Sequence, residues 1–172
     1  PAVMTARKIA AALGAGCSII IKPSEEAPGV AVGIVKACQD AGVPGGVLNL
    51  VFGDSAMVSE YLIRSPIIKK ISLTGSVAVG KILSRMAGEL LKPATMELGG
   101  HAPVLVFGDA DPEKAAEMTA GFKFRNAGQV CLGVSRIFVH ESIYQRFLDR
   151  FVECARNLKV GDGMDEGVTM GP

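Results

Sequence analysis

Val3, Ala6, Ile9, Ala10 and Leu13 recur at the spacing of one helix face, and Gly14 and Gly16 interrupt the rhythm. Ser18 to Lys22, with three consecutive isoleucines, predicts a short strand buried on both faces, ended by Pro23. A second helix is expected from Pro28 to Ala41, stopped by Gly42 and Pro44, then a strand over Val47 to Val51. A third helix follows from Asp54 to Ile63. Ile67 to Leu73 reads as a strand running straight into Thr74-Gly75-Ser76, and a fourth helix spans Val77 to Leu90.

After Pro93 the texture changes. Thr95 to Leu98 predicts a strand ending in Gly99-Gly100, glycines that permit close backbone approach or positive φ. Val104 to Phe107 is a further strand. Asp111-Pro112 supplies an N-cap and a first-turn proline for a helix reaching Phe124. A loop around Cys131 leads to a strand over Arg136 to Val139. Ser142 and Gln145 have the spacing of a capping box, opening a helix with Ile143, Phe147, Phe151 and Ala155 four apart. Gly161 to Pro172 reads as an acidic, glycine-rich surface loop.

Strands and helices alternate at short spacing without hairpin signals. That pattern predicts an α/β fold with a doubly wound parallel sheet, whose ligands bind beyond the carboxyl ends of the strands. Lys22 to Glu25 and Thr74 to Ser76 both lie at such ends, so one crevice is expected to serve both. The chain opens on proline directly into an apolar helix and ends in Met170-Gly171-Pro172, so we expect a piece of something longer.

Composition narrows the function classes. The 172 residues are 49% apolar, with 21 glycines and a formal net charge of +1, a globular composition. Acidic and basic residues are interspersed with no basic stripe, which argues against nucleic acid. The longest charge-free stretches, Ile9 to Ile21 and Ala41 to Gly53, are 13 residues each, short of the roughly 20 a membrane span needs. No signal peptide is visible, so a cytoplasmic location is expected. Four cysteines (Cys17, Cys38, Cys131, Cys154) show no C-x-x-C pair, against zinc or a disulfide framework. Cys17, Cys38 and Cys154 read as small buried hydrophobes.

Cys131 differs in setting. It follows Gly128-Gln129-Val130 in a loop between a helix and a strand, where reactive groups are commonly held. A thiolate is a strong nucleophile, and loop N–H groups can hold an oxyanion. Glu97, between Met96 and Leu98, reads either as an exposed edge-strand carboxylate or as a partly desolvated base able to accept a proton near neutrality. Lys22 is either a strand-end lysine reaching solvent or a donor to ribose hydroxyls, with Glu25 close by. Gly75-Ser76-(x)3-Gly80 is neither a Walker loop nor a G-x-G-x-x-G fingerprint, but it opens a helix whose N-terminus suits a phosphate.

Lys22-Pro23-Ser24-Glu25, Gly42-Val43-Pro44-(x)2-Val47-Leu48-Asn49, Leu73-Thr74-Gly75-Ser76-(x)3-Gly80, Glu97-Leu98-Gly99-Gly100 and Gly128-Gln129-Val130-Cys131 together resemble the NAD(P)-dependent aldehyde dehydrogenase superfamily. The resemblance runs over the whole chain but covers a middle portion of that family's length. Phe124-Arg125-Asn126-Ala127-Gly128-Gln129 is most similar to the succinate-semialdehyde dehydrogenase branch. The resemblance implies residues 1–97 as part of a Rossmann-like NAD(P)-binding domain and 98–172 as part of the catalytic domain. It implies Cys131 as the nucleophile that passes through a thiohemiacetal and a thioester, and Glu97 as activator of the hydrolytic water. Lys22 and Glu25 are implied at the adenosine ribose and Ser76 at the pyrophosphate, with Ser24, Gly75, Leu98 and Gly99 also implied in cofactor binding. Glu25 would repel a 2′-phosphate, so NAD is expected ahead of NADP. The substrate would be a small-molecule aldehyde, succinic semialdehyde among the candidates, and the parent protein a homodimer or homotetramer. No metal is expected.

Departures from the family pattern are specific. The family's oxyanion-hole asparagine precedes the proline matching Pro1, and its later Glu-Phe segment and oligomerisation strands have no counterpart here. The chain by itself is therefore expected to be an incomplete enzyme. Leu132-Gly133-Val134-Ser135 replaces residues that are often polar, and no second cysteine stands at 133 to form a vicinal disulfide. Acylating relatives lack the glutamate, so Glu97 favours hydrolysis over transfer to coenzyme A. The alternative is a non-catalytic nucleotide-binding or structural protein on the same fold.

Overall fold

A computed structural model describes residues 2–171; Pro1 and the last tail residue, Pro172, with the readings attached to them, lie outside the described residues. The chain is a mixed α/β protein with parallel strand pairing. It falls into two compact units, one ending at Leu98 and one beginning at Gly99.

The first unit contains helices α1 (Ala2–Gly14), α2 (Pro28–Asp40), α3 (Ser55–Arg64) and α4 (Val77–Glu89). Its strands are β1 (Ile19–Ile21), β2 (Leu48–Leu50), β3 (Ile71–Gly75) and β4 (Ala94–Leu98). Helix starts follow side-chain chemistry: Asp54 accepts from the Met57 N–H at 2.8 Å and opens α3, while Pro28 occupies the first turn of α2. At the other end of α3, Lys92 Nζ donates to the carbonyls of Ile63 and Ser65, both at 2.5 Å, satisfying acceptors that the helix leaves orphaned.

Each strand pair is a βαβ crossover. β1 pairs with β2 across α2, with Ile19 opposite Leu48 and Ile21 opposite Leu50. β3 pairs with β4 across α4, from Ile71 opposite Ala94 to Gly75 opposite Leu98. Among the described residues the strands pair two by two, in three sheets rather than one. The local pattern dictates each crossover, because strands joined by a helix must run parallel. It does not dictate how neighbouring crossovers join.

The isoleucine run is not buried on both faces. Ile21 is buried, but Ile20 is 38% exposed and Ile19 half-buried, since this two-stranded pair has one covered face. β3 starts four residues later than the apolar run, which leaves Ile67 81% exposed in the turn after Pro66. Cys17 is also exposed, contrary to its reading as a buried hydrophobe, because it sits in the turn that ends α1; Cys38 and Cys154 are half-buried.

The second unit pairs β5 (Ala102–Val106) with β6 (Val134–Val139) across α5 (Pro112–Lys123), and α6 (Tyr144–Arg156) packs on α5. The register slips by one residue after Ala102, where Pro103 lies opposite Arg136 and Ser135 is skipped. Val106, Ala116, Ile143 and Phe147 form the core, backed by Val104, Ile137, Val139 and Phe151. Phe147 stacks on Phe151 at 5.9 Å between ring centroids.

The capping box does not form. Ser142 lies inside a short 3-10 turn, Glu141–Ile143, where the His140 ring accepts from the Ser142 N–H; Gln145 instead donates to Asp149 at 2.8 Å. A turn of 3-10 geometry moves the helix start past Ser142, so its hydroxyl no longer faces the third residue's N–H. The tail folds back through a bridge between Val160 and Met170. No helix among the described residues is long and apolar enough to cross a membrane.

Candidate active site

The structure assembles the expected site residues in three clusters, each explained by strand pairing. The first lies at the carboxyl ends of β1 and β2. Lys22 follows β1 directly, and its Nζ donates to the Pro23 carbonyl at 3.0 Å and to the Glu25 carboxylate. Ser55 Oγ donates to the same carboxylate oxygen at 2.7 Å. Parallel pairing brings Ser55 there, since the Val51 N–H donates to the Ile21 carbonyl at 2.9 Å and α3 begins just beyond. Hydrogen bonds from Lys22 first and Ser55 second hold the Glu25 pKa down to about 2. The Lys22 side chain is 16% exposed and that of Glu25 59%, so a half-buried cation presents an exposed, ionised carboxylate. Ser24 does not join them; its Oγ accepts from the Glu26 N–H at 3.2 Å, a local turn. Ser55 escaped sequence reasoning because thirty residues separate it from Glu25.

The second cluster lies at the carboxyl ends of β3 and β4. Ser76 caps α4, its Oγ accepting from the Val79 N–H at 3.3 Å, which leaves the helix N-terminus open beyond Gly75. The register sets Thr74 opposite Glu97 and Gly75 opposite Leu98, so the phosphate-type turn and the carboxylate share one strand end. Gly80 explains the close approach of α4 to β4: a Cβ there falls 2.7 and 2.8 Å from the two Leu98 δ carbons. Glu97 is exposed, which corresponds to the edge-strand reading rather than the desolvated one. Lys8 reaches this cluster from α1; burial lowers its pKa, and the Glu97 charge raises it in opposition. Gly99 and Gly100 do not adopt positive φ.

The third cluster presents Cys131, which is exposed. Asn126, Ala127 and Gly128 take left-handed φ of 53°, 53° and 77° in succession, a conformation that costs a residue with a Cβ about 1–2 kcal/mol. Asn126 offsets it by accepting from the Gln129 N–H and donating its side-chain amide to the Gln129 carbonyl, both at 3.0 Å. The Gly133 N–H then donates to the Val130 carbonyl at 2.7 Å, closing a tight turn with Cys131 and Leu132 at its tip. Their amides donate to no carbonyl among the described residues, so two N–H groups are free beside the sulfur. Because β5 and β6 start in register, Gly100 lies beside the Cys131 carbonyl, 3.7 Å from where its Cβ would stand. Arg125, six residues before the thiol, is exposed and has no ion-pair partner among the described residues. No group of metal-ligating side chains occurs among the described residues.

The parallel α/β units carry an accessible thiol, a carboxylate at a strand end and a capped helix N-terminus. The chain belongs to the aldehyde dehydrogenase family, which it matches over residues 1–172. It is 47% identical to succinate-semialdehyde dehydrogenase [NADP(+)] 1 of Schizosaccharomyces pombe, over 100% of this chain and 35% of that protein. It is 42% identical to the 3-sulfolactaldehyde dehydrogenase of Pseudomonas putida, again over 100% of this chain and 35% of the relative. The crystal structure of succinate-semialdehyde dehydrogenase from Burkholderia pseudomallei superimposes with a TM-score of 0.95 at 44% identity, over 100% of this chain and 36% of that one. The chain thus spans about a third of the length of the relatives it matches.

Proposed function

We propose that the protein carrying this chain oxidises an aldehyde to the carboxylic acid through a covalent adduct on Cys131, with a nicotinamide dinucleotide as electron acceptor. The observation that carries the reading is Cys131 held exposed at the tip of the tight turn that follows the left-handed stretch 126–128, its amide and that of Leu132 donating to no carbonyl among the described residues. The Cys131 thiolate adds to the aldehyde carbon, and the amides of Cys131 and Leu132 hold the resulting oxyanion of the thiohemiacetal. A bound nicotinamide would supply the hydride acceptor needed for this adduct to become a thioester. Glu97 then takes a proton from the water that releases the acid.

The residues present fit such a cofactor. The ionised Glu25 keeps an oxygen free to accept from a ribose diol, and the N-terminus of α4 offers N–H groups and dipole to a diphosphate. Glu25 carries its charge at every physiological pH and repels a 2′-phosphate, which supports NAD ahead of the NADP in the name of the S. pombe relative. The exposed Arg125, six residues before Cys131 along the chain, is our candidate to hold a distal anion on the substrate, in keeping with a semialdehyde such as succinic semialdehyde.

Cys131→Ser tests the reading. Cofactor reduction should fall by at least about three orders of magnitude with the fold retained. Iodoacetamide should label Cys131, and substrate should protect it. Exposure alone does not discriminate, because Cys17 is exposed as well. A Cys131→Ser protein with normal turnover overturns the proposal. Glu25→Ser should raise the use of NADP relative to NAD, and Arg125→Gln should raise KM for succinic semialdehyde but not for propanal.

A further inference from the structure

An exposed glutamate side chain samples several rotamers, so a fixed carboxylate needs fixed partners. Glu25 stands four residues past the end of β1, and Ser55 five past the end of β2. Parallel pairing brings the two strand exits together, and Asp54 fixes the start of α3 by accepting from the Met57 N–H at 2.8 Å. Ser55, the first residue of that helix, is thereby held in place, and its Oγ donates to Glu25 Oε1 at 2.7 Å. Lys22 Nζ donates to the same oxygen, while Oε2 accepts from no group among the described residues. The two donors differ in what they can fix. Lys22 lies three residues from Glu25 in the same segment, and an ammonium is a point charge whose three rotatable donors serve either carboxylate oxygen. A serine hydroxyl has a single hydrogen to give, and Ser55 comes from another element. Among the described residues, its bond is the one that ties the Glu25 carboxylate to something beyond its own segment.

We propose that Ser55 is a positioning residue for Glu25 and thereby a determinant of cofactor choice: its hydroxyl engages Oε1, so that Oε2 stays available to a ribose diol. The inference rests on the reading of Lys22 and Glu25 as the ribose end of a nicotinamide dinucleotide site. Without Ser55, the Lys22 ammonium is free to bridge both oxygens, and a diol then competes with it for its acceptor. A 2′-phosphate gains nothing from an accepting Oε2 and is repelled by its charge, so discrimination in favour of NAD weakens when the carboxylate swings away. The rotamer of Glu25 is chosen before the cofactor arrives, and binding does not have to order it.

The test uses the complete protein and compares KM and kcat for NAD and NADP. Ser55→Ala should raise KM for NAD about three- to tenfold, the scale of one hydrogen bond, with the loss on KM rather than kcat. The preference for NAD over NADP, as a ratio of kcat/KM values, should shrink by about the same factor. Ser55→Thr keeps the hydroxyl and should restore both. In a Glu25→Ala background, Ser55→Ala should change the ratio by less than about twofold, because the residue acts through the carboxylate. A Ser55→Ala protein with the wild-type ratio overturns the proposal, and so does an equal loss in both backgrounds, the mark of a merely structural role. NMR titration of the Glu25 carboxyl needs no cofactor. Ser55→Ala should move it to higher pH, since a bond to the ionised form is lost, and an unmoved titration overturns the contact. If Glu25→Ala itself leaves the NAD preference unchanged, the ribose reading fails and cofactor choice falls with it, while the titration still decides whether Ser55 holds the carboxylate.

Discussion

Exchanging Gly80 for alanine sets two effects of opposite sign against each other. Gly80 lies inside α4, where alanine is favoured over glycine by about 1 kcal/mol. Helix propensity alone therefore predicts a more stable protein. The added methyl would sit 2.7 and 2.8 Å from the δ carbons of Leu98, well inside the ~3.5–4.0 Å optimum for carbon pairs. Leu98 is half-buried between α4 and its own strand, so relief requires an altered rotamer or a shift of α4 away from β4. Overpacking of this kind costs about 1–3 kcal/mol. The balance runs from neutral to a loss of about 2 kcal/mol, where propensity alone gives a gain. Urea unfolding of wild type, Gly80→Ala, Leu98→Ala and the double mutant measures both terms, provided the m-value stays constant. Leu98→Ala should cost less in the Gly80→Ala background, with a coupling of about 1–2 kcal/mol. A Gly80→Ala protein stabilised by about 1 kcal/mol, with no coupling to Leu98, refutes the packing argument.

Other outcomes follow from the same geometry. Phe147, 3% exposed at the centre of the second unit's core, should cost about 3–5 kcal/mol on truncation to alanine, read as a lowered unfolding midpoint. Lys92→Met removes two charge-assisted bonds to the end of α3 and should cost about 1–3 kcal/mol, with hydrogen exchange rising first at the last turn of α3. The Glu25 pKa is depressed, so its contribution to stability is present above the ordinary carboxylate value of 4.5 and is lost as pH falls toward about 2. Glu25→Gln should flatten the acid limb of the stability–pH curve in that window, more at low salt than at high salt because the group is solvent-exposed. An unchanged limb at low salt removes the Lys22–Glu25–Ser55 cluster as its cause.

Local chemistry made several parts of the fold legible. Asp54, Ser76 and Asp111 start helices because short polar side chains reach back to the first-turn amides, a contact within four residues. The strand–helix alternation gave parallel pairing for the same kind of reason. Ser142 misled because the capping-box spacing assumes the helix begins at that residue, and the competing 3-10 turn held by His140 displaced it. Cys17 and the isoleucine run misled because residue type reports a preference for burial, whereas burial itself needs a second layer on that face.

The candidate site divides along the same line. The sequence by itself determined which residue types carry the chemistry, and it placed Cys131 in a loop, Lys22 and Glu25 at a strand end and Ser76 at a helix start, since each is a matter of neighbours along the chain. Only the tertiary structure decided who stands beside them. Ser55 meets Glu25 because β2 lies parallel to β1, Thr74 meets Glu97 through the β3–β4 register, and Lys8 reaches that face from a helix 64 residues before its anchor Ser72. Such contacts depend on packing between elements, and no periodicity along the chain encodes a distance across it.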